Sequence, residues 1–257
     1  MNETPVAAPL VPEAPEETLA LVRRGRAQRL SDDVPGLEEA VPLLREAIEL
    51  SPAYAPAYAE LSQAYFSWGL RRENSCLGFR RDLCALEYQS LYDMAYEYAH
   101  MALRLAADLP SAHRAMAAAL RRGSRADPVR RAQEAKIAAD LDPDDPENAV
   151  EAWRVRGFDP DDPAVRRALE RAPELVDARL DLAAALRERG RFDEALAELH
   201  EALRAGPRNL QVYYDVAMVL DRKGLRPKAL ELLRKAAALS PGDPLIEQGF
   251  ALLGEAP

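Results

Sequence analysis

Apolar positions recur along this chain in steps of three and four, the spacing that gathers side chains on one side of a helix. From Cys84 onward, Tyr88, Leu91, Ala95, Tyr98, Ala102, Leu105 and Leu109 keep that rhythm, which predicts one long helix with a single apolar stripe. Tyr58, Leu61, Ser62 and Tyr65 mark a helix before it, and Arg71 to Gly78 reads as the loop joining the two. Ala and Leu are frequent, glycine is scarce and aromatics make up 6% of residues. That mixture favours helix over strand, so no sheet is expected.

The predicted helices come in a repeating order. Pro173, Pro207 and Pro241 stand 34 residues apart, and each follows the same ending: Ala168-Leu169, Ala202-Leu203 and Ala236-Ala237. Between them, Ala183 and Ala217 hold a small-residue site of a first helix. Gly190 and Gly224 mark a turn, and Ala195 and Ala229 occupy a small site of a second helix. Small side chains let two antiparallel helices approach closely. Glycine ends a helix in a left-handed conformation, while proline stops the second helix and starts the next unit. Ala138 to Pro143, Ala102 to Leu105 and Ala47 to Pro52 close earlier units in the same way.

These phrases resemble the tetratricopeptide repeat, a 34-residue helix-turn-helix unit. The resemblance implies an all-α, right-handed solenoid of about six units, over 17–52, 53–107, 108–143, 144–173, 174–207 and 208–241, with a capping helix at 244–253. Residues 17–257 then form one domain behind a disordered Pro/Ala-rich lead at 1–16. Three departures stand out: a loop from Ser31 to Gly36 inside the first unit, a fourth unit four residues short with a compressed turn over Trp153 to Asp162, and an insertion in the second. There Ala95 follows Tyr65 by 30 residues where nine is usual, so about 21 residues are added, placed at 67–88 and expected to lengthen the second helix at its start.

Composition narrows the function. With 43 acidic against 34 basic residues the net charge is −9, which argues against nucleic acid as a partner. The amino terminus lacks the basic region and apolar run of a signal or membrane span, so a cytoplasmic protein without a membrane span is expected. Cys76, Cys84, His100, His113 and His200 show no metal-ligand spacing, and Cys84 reads as a small buried hydrophobe on the stripe. No glycine-rich phosphate loop, nucleophile elbow or His/Cys/carboxylate cluster occurs, so no catalytic residue, metal or cofactor is assigned and the chain is read as a non-enzyme.

Members of this family present first-helix residues on a concave face. By register those positions are Gln63 and Phe66 in the second unit, Arg114, Arg121 and Arg122 in the third, Arg187 in the fifth, and Tyr214 and Met218 in the sixth. They are the candidate contacts for a peptide or helix of a protein partner. Residues 111–139 carry seven basic side chains against Asp127 and Glu134, which reads either as a patch for an acidic segment or as a solvated face with internal ion pairs. Ten of the 16 aromatics fall between Tyr54 and Tyr98. They are either a docking surface, as in an accessory subunit of a transport or secretion assembly, or a locally thicker core. Tyr213, Tyr214, Met218, Leu245, Phe250 and Leu253 could also support a homodimer contact.

Overall fold

The computed structural model describes residues 13–76 and 81–255. Among them are thirteen α-helices and no strand. Six hairpins run in chain order: α1 (Glu16–Leu30) with α2 (Val34–Leu50), α3 (Ala55–Ser75) with α4 (Arg81–Leu105), α5 (Pro110–Ala119) with α6 (Pro128–Leu141), α7 (Pro146–Val155) with α8 (Pro163–Arg171), α9 (Val176–Glu188) with α10 (Phe192–Ala205), and α11 (Leu210–Arg222) with α12 (Arg226–Leu239). The last helix, α13 (Pro244–Leu252), packs on α11 and α12 as a cap.

Local chemistry explains the punctuation. Asp127, Asp145, Asp162 and Asp243 each accept hydrogen bonds from the first free backbone N–H groups of the helix that follows, and each is succeeded by a proline at the first helical position. The carboxylate satisfies donors that lack an intrahelical partner, and proline has no N–H to leave orphaned. Gly190 and Gly224 close α9 and α11 at φ 73° and 75°, the left-handed conformation expected of them. The small sites are filled as predicted: Ala183, Ala195, Ala217 and Ala229 are all buried.

The irregular units differ from expectation in detail. Residues 71–75, read as loop, continue α3 to Ser75, so the insertion lengthens both helices of the second hairpin. Gly69 lets the two cross closely, because a Cβ there would lie 2.6 Å from the ring of Tyr92. Leu105, assigned to the α4 stripe, is exposed, and Cys84 is only half-buried; Ala95 and Ala102 of that stripe are fully buried, and Tyr92 and Ala99 share the buried face with them. The first unit's loop is a three-residue turn, since α2 already begins at Val34. Trp153 belongs to α7 rather than to the compressed turn, and its indole N–H donates to Asp159 O at 2.7 Å. The lead expected at 1–16 lies largely outside the described residues, and Glu16 already starts α1.

Apolar burial is divided. A first core joins α2 to α5 through Leu44, Leu61, Tyr65 and Met116, and a second joins α7 to α11 through Trp153, Leu182, Leu186 and Leu199. Leu233, Ile246 and Phe250 extend the apolar interior under the cap. The stack also curls until its ends meet. Asn209, between α10 and α11, donates its side-chain N–H to Asp32 O at 2.7 Å, and α13 touches α3.

Candidate functional site

The inner surface of the curl is built from first helices, as the repeat register requires, but it has two different parts. Across units one to four it is closed by ion pairs. Arg29, on α1, donates to Glu60 of α3 at 2.9 Å and to Glu147 of α7 at 2.9 Å. Arg26 adds a 2.7 Å bond to Glu147, and Arg114 of α5 reaches Asp145 at 2.8 Å and Asn148 at 2.7 Å. Arg154 of α7 continues the chain of charges to Asp177 at 2.6 Å and Asp181 at 2.7 Å on α9. Arg29, Arg114, Glu60 and Glu147 are all buried.

Such charges tolerate burial only when paired. Burial by itself would raise the Glu147 carboxyl, but Arg114, Arg29 and Arg26 outweigh it and hold the group well below the usual carboxylate range. Asp177 is likewise lowered, burial being overcome by Arg154. Within this network lies a cavity of only about 30 Å³, with Phe66, Leu70, Val150 and Leu175 among its walls. Its volume suits ordered water.

Past Asp181 the inner surface opens. A cleft of about 320 Å³ runs along α9 between Phe158, Ala184 and Glu188. A wider one of about 800 Å³ follows, bounded by Arg187, Phe192, Tyr214, Met218, Asp221 and Leu252. Glu188 lines both, and the wider cleft forms a trough between α9, α11 and α13.

The eight candidate contacts are therefore separated. Gln63, Phe66 and Arg114 face the closed centre, where Phe66 packs on Tyr92 with ring centroids 5.6 Å apart. Arg121 lies over the Phe158 ring and 3.4 Å from Asp181, at the boundary between the two parts. Arg122 is half-exposed and 3.9 Å from Glu73. Arg187, Tyr214 and Met218 line the open trough.

The basic stretch at 111–139 is internally paired: Arg125 with Glu97 at 2.8 Å, Arg130 with Glu134 at 3.3 Å, Arg131 with Glu151 at 2.9 Å, and Lys136 with Asp140. The acids that neutralise it come mostly from outside the window. His113 Nδ1 donates to Glu134 of α6 at 2.7 Å, and no cluster of metal-ligating residues occurs among the described residues. The aromatics of α3 and α4 pack into the first core, with Tyr65 stacked on Tyr98 at 5.5 Å; Phe79 is outside the described residues. No helix of the described residues is long and apolar enough to cross a membrane. The acidic half of the network, Glu60, Glu147 and Asp177, has no signal in sequence, because Arg29 and Glu147 are 118 residues apart.

Comparison with known proteins identifies the repeat. A model described as tetratricopeptide repeat matches residues 162–199 and 180–244. No curated protein matches the chain in sequence. Among solved structures, a chain of the APC/C hetero-tetramer Cut9-Hcn1 superimposes with TM-score 0.60 at 17% identity, covering 96% of this chain and 44% of that one. This chain thus spans less than half of that relative's length. Pseudomonas aeruginosa pilF superimposes with TM-score 0.50 at 17% identity, covering 92% of this chain and 97% of the other. At these identities the likeness is one of fold.

Proposed function

Since the chain is a tetratricopeptide-repeat protein, by its repeats at 162–244 and its helical hairpins throughout, we propose that it is a non-catalytic scaffold that docks a partner segment in the trough of α9, α11 and α13. The observation that carries the reading is that Arg187, Tyr214 and Met218, picked out by repeat register, line an open trough, whereas Arg114 is buried and bonded through Nη1 to Asp145 and Asn148. Tyr214, Met218, Phe192 and Leu252 give the trough apolar lining, and Arg187, Arg222, Glu188 and Asp221 charges of both signs. The segment that fits is a short helix or peptide with an apolar anchor between charges of either sign, rather than a strongly acidic one. The aromatics of α3 and α4, on which a docking-subunit reading relies, face the core.

A photo-crosslinking residue at position 218 should capture a partner that the same residue at 129, on outer helix α6, does not. Tyr214→Ala with Met218→Ala should weaken that partner by on the order of 30-fold, the loss of one hot spot, and Arg122→Glu should leave it unchanged. Capture at 129 with undiminished binding to the trough variant would overturn the assignment.

A further inference from the structure

We propose that the junction between the first hairpin and the α10–α11 connection is a latch, at which the two halves of the solenoid part and reclose about the α6–α7 connection. Opening it uncovers the inner surface of units one to four, where the closed form leaves a cavity of only about 30 Å³. The inference does not depend on which segment the trough binds.

The composition of the junction is the first support. Asn209 donates to Asp32 O, Arg208 lies 3.4 Å from Asp33, and Asn74 of α3 donates to Gln211 at 3.0 Å, while Arg71 of α3, 3.1 Å from the Asp32 carboxylate, holds that turn from its own half. Every one of these is a polar contact made by a side chain. Apolar groups also lie at the junction: Leu30 of α1 packs against the second core, and Val34, Leu210 and Leu245 line the same cavity as Asp32 and Asn209. Gly206 sits so close to Ser31 that a Cβ would lie 2.7 Å from the Ser31 carbonyl oxygen, so the contact has a specific fit. Asp32 itself holds φ 51°, a left-handed conformation that Asp tolerates better than most side chains.

The second support is what lies behind the junction. The first core belongs to units one to three and the second to units four to six, and the surface between them is the Arg29, Glu60, Arg114 and Glu147 network. Parting two apolar faces exposes them to water at a cost proportional to area. Parting ion pairs returns buried charges to water, which offsets much of what is lost. An interface of this composition behaves as a boundary between domains, where relative motion is the expectation. A cavity of about 460 Å³ lined by Asp32, Arg71 and Asn209 leaves the two edges meeting there without close packing.

Asn209→Asp isolates the latch. Aspartate caps α11 as well as asparagine does, retaining the bonds from Gln211 N and Val212 N, but it sets an acceptor against Asp32 O where a donor stood. Hydrogen exchange on the full chain is the readout. Amides of 31–36 and 206–212 should exchange together, on the order of tenfold faster in the variant than in the wild type, with the amides of α9 and α4 unchanged and a larger radius of gyration by small-angle scattering. Unchanged exchange at both segments, with helicity intact, refutes the latch. If the variant loses helicity, the wild type decides. Exchange of 31–36 and 206–212 at a common opening free energy well below that of the Leu182 and Leu186 amides supports the latch, and exchange only through global unfolding overturns it.

Discussion

Glu147 is the residue whose loss tests the interior most directly. It is buried and bonded to Arg26 and Arg29, with Arg114 at 3.6 Å. Glu147→Gln keeps the shape and one acceptor but removes the charge that these three guanidinium groups share. Removing one partner of a buried pair costs about 3–5 kcal/mol because it strands the others. Arg29 retains Glu60, and Arg114 retains Asp145 and Asn148, so the lower end, about 3 kcal/mol, is expected. For a chain of this length that is a fall in Tm of roughly 6–12 °C. Urea and thermal unfolding followed by circular dichroism measure it at neutral pH, with Lys136→Ala as reference. The Lys136–Asp140 pair is exposed, and its loss should cost less than about 0.5 kcal/mol. Combining Glu147→Gln with Arg29→Met should cost less than the two single changes together, with a coupling of at least about 1 kcal/mol. A cost for Glu147→Gln no larger than that for Lys136→Ala would falsify the claim that the network closes the inner surface.

Stability should also depend on pH through Asp32. Burial pushes its carboxyl up to about 7, against the opposing pull of Arg71; Asp177 raises it, while Arg154 and Asn209 lower it. The folded form therefore binds the proton more tightly than the unfolded chain, and this group's contribution falls as pH rises from about 4 through 7. Asp32→Asn, which accepts the same left-handed backbone, should flatten the pH dependence of Tm between pH 5 and 8; an unaltered slope counts against it. Gly69→Ala should destabilise despite its better helix propensity, by about 1–3 kcal/mol, because the Tyr92 ring it meets is buried and tied to Glu73 at 2.6 Å. A stabilised variant in thermal unfolding would mean that α3 and α4 separate readily at that crossing.

The sequence by itself determined the elements and their order. Aspartate before proline, glycine at the turn and alanine at the crossing are local requirements of a helical hairpin, and Asp162-Pro163, Gly190 and Ala195 state them within 34 residues. For the same reason Arg187, Tyr214 and Met218 could be assigned to the inner face by counting. The division of the insertion between α3 and α4 was not legible, since Arg71 to Ser75 are as compatible with a loop as with helix until Arg71 meets Asp32. Nor could the basic stretch at 111–139 be recognised as neutral, because Arg114 and Arg131 find Asp145 and Glu151 on the next hairpin. Only the tertiary structure decided that Asn209 reaches Asp32 and that the inner surface is bridged by ion pairs at one end and open at the other. A helix is specified by neighbours three and four positions away, whereas curvature is the sum of small rotations between hairpins. Which charges that sum brings together, 118 or 177 residues apart, follows from geometry that no local pattern carries.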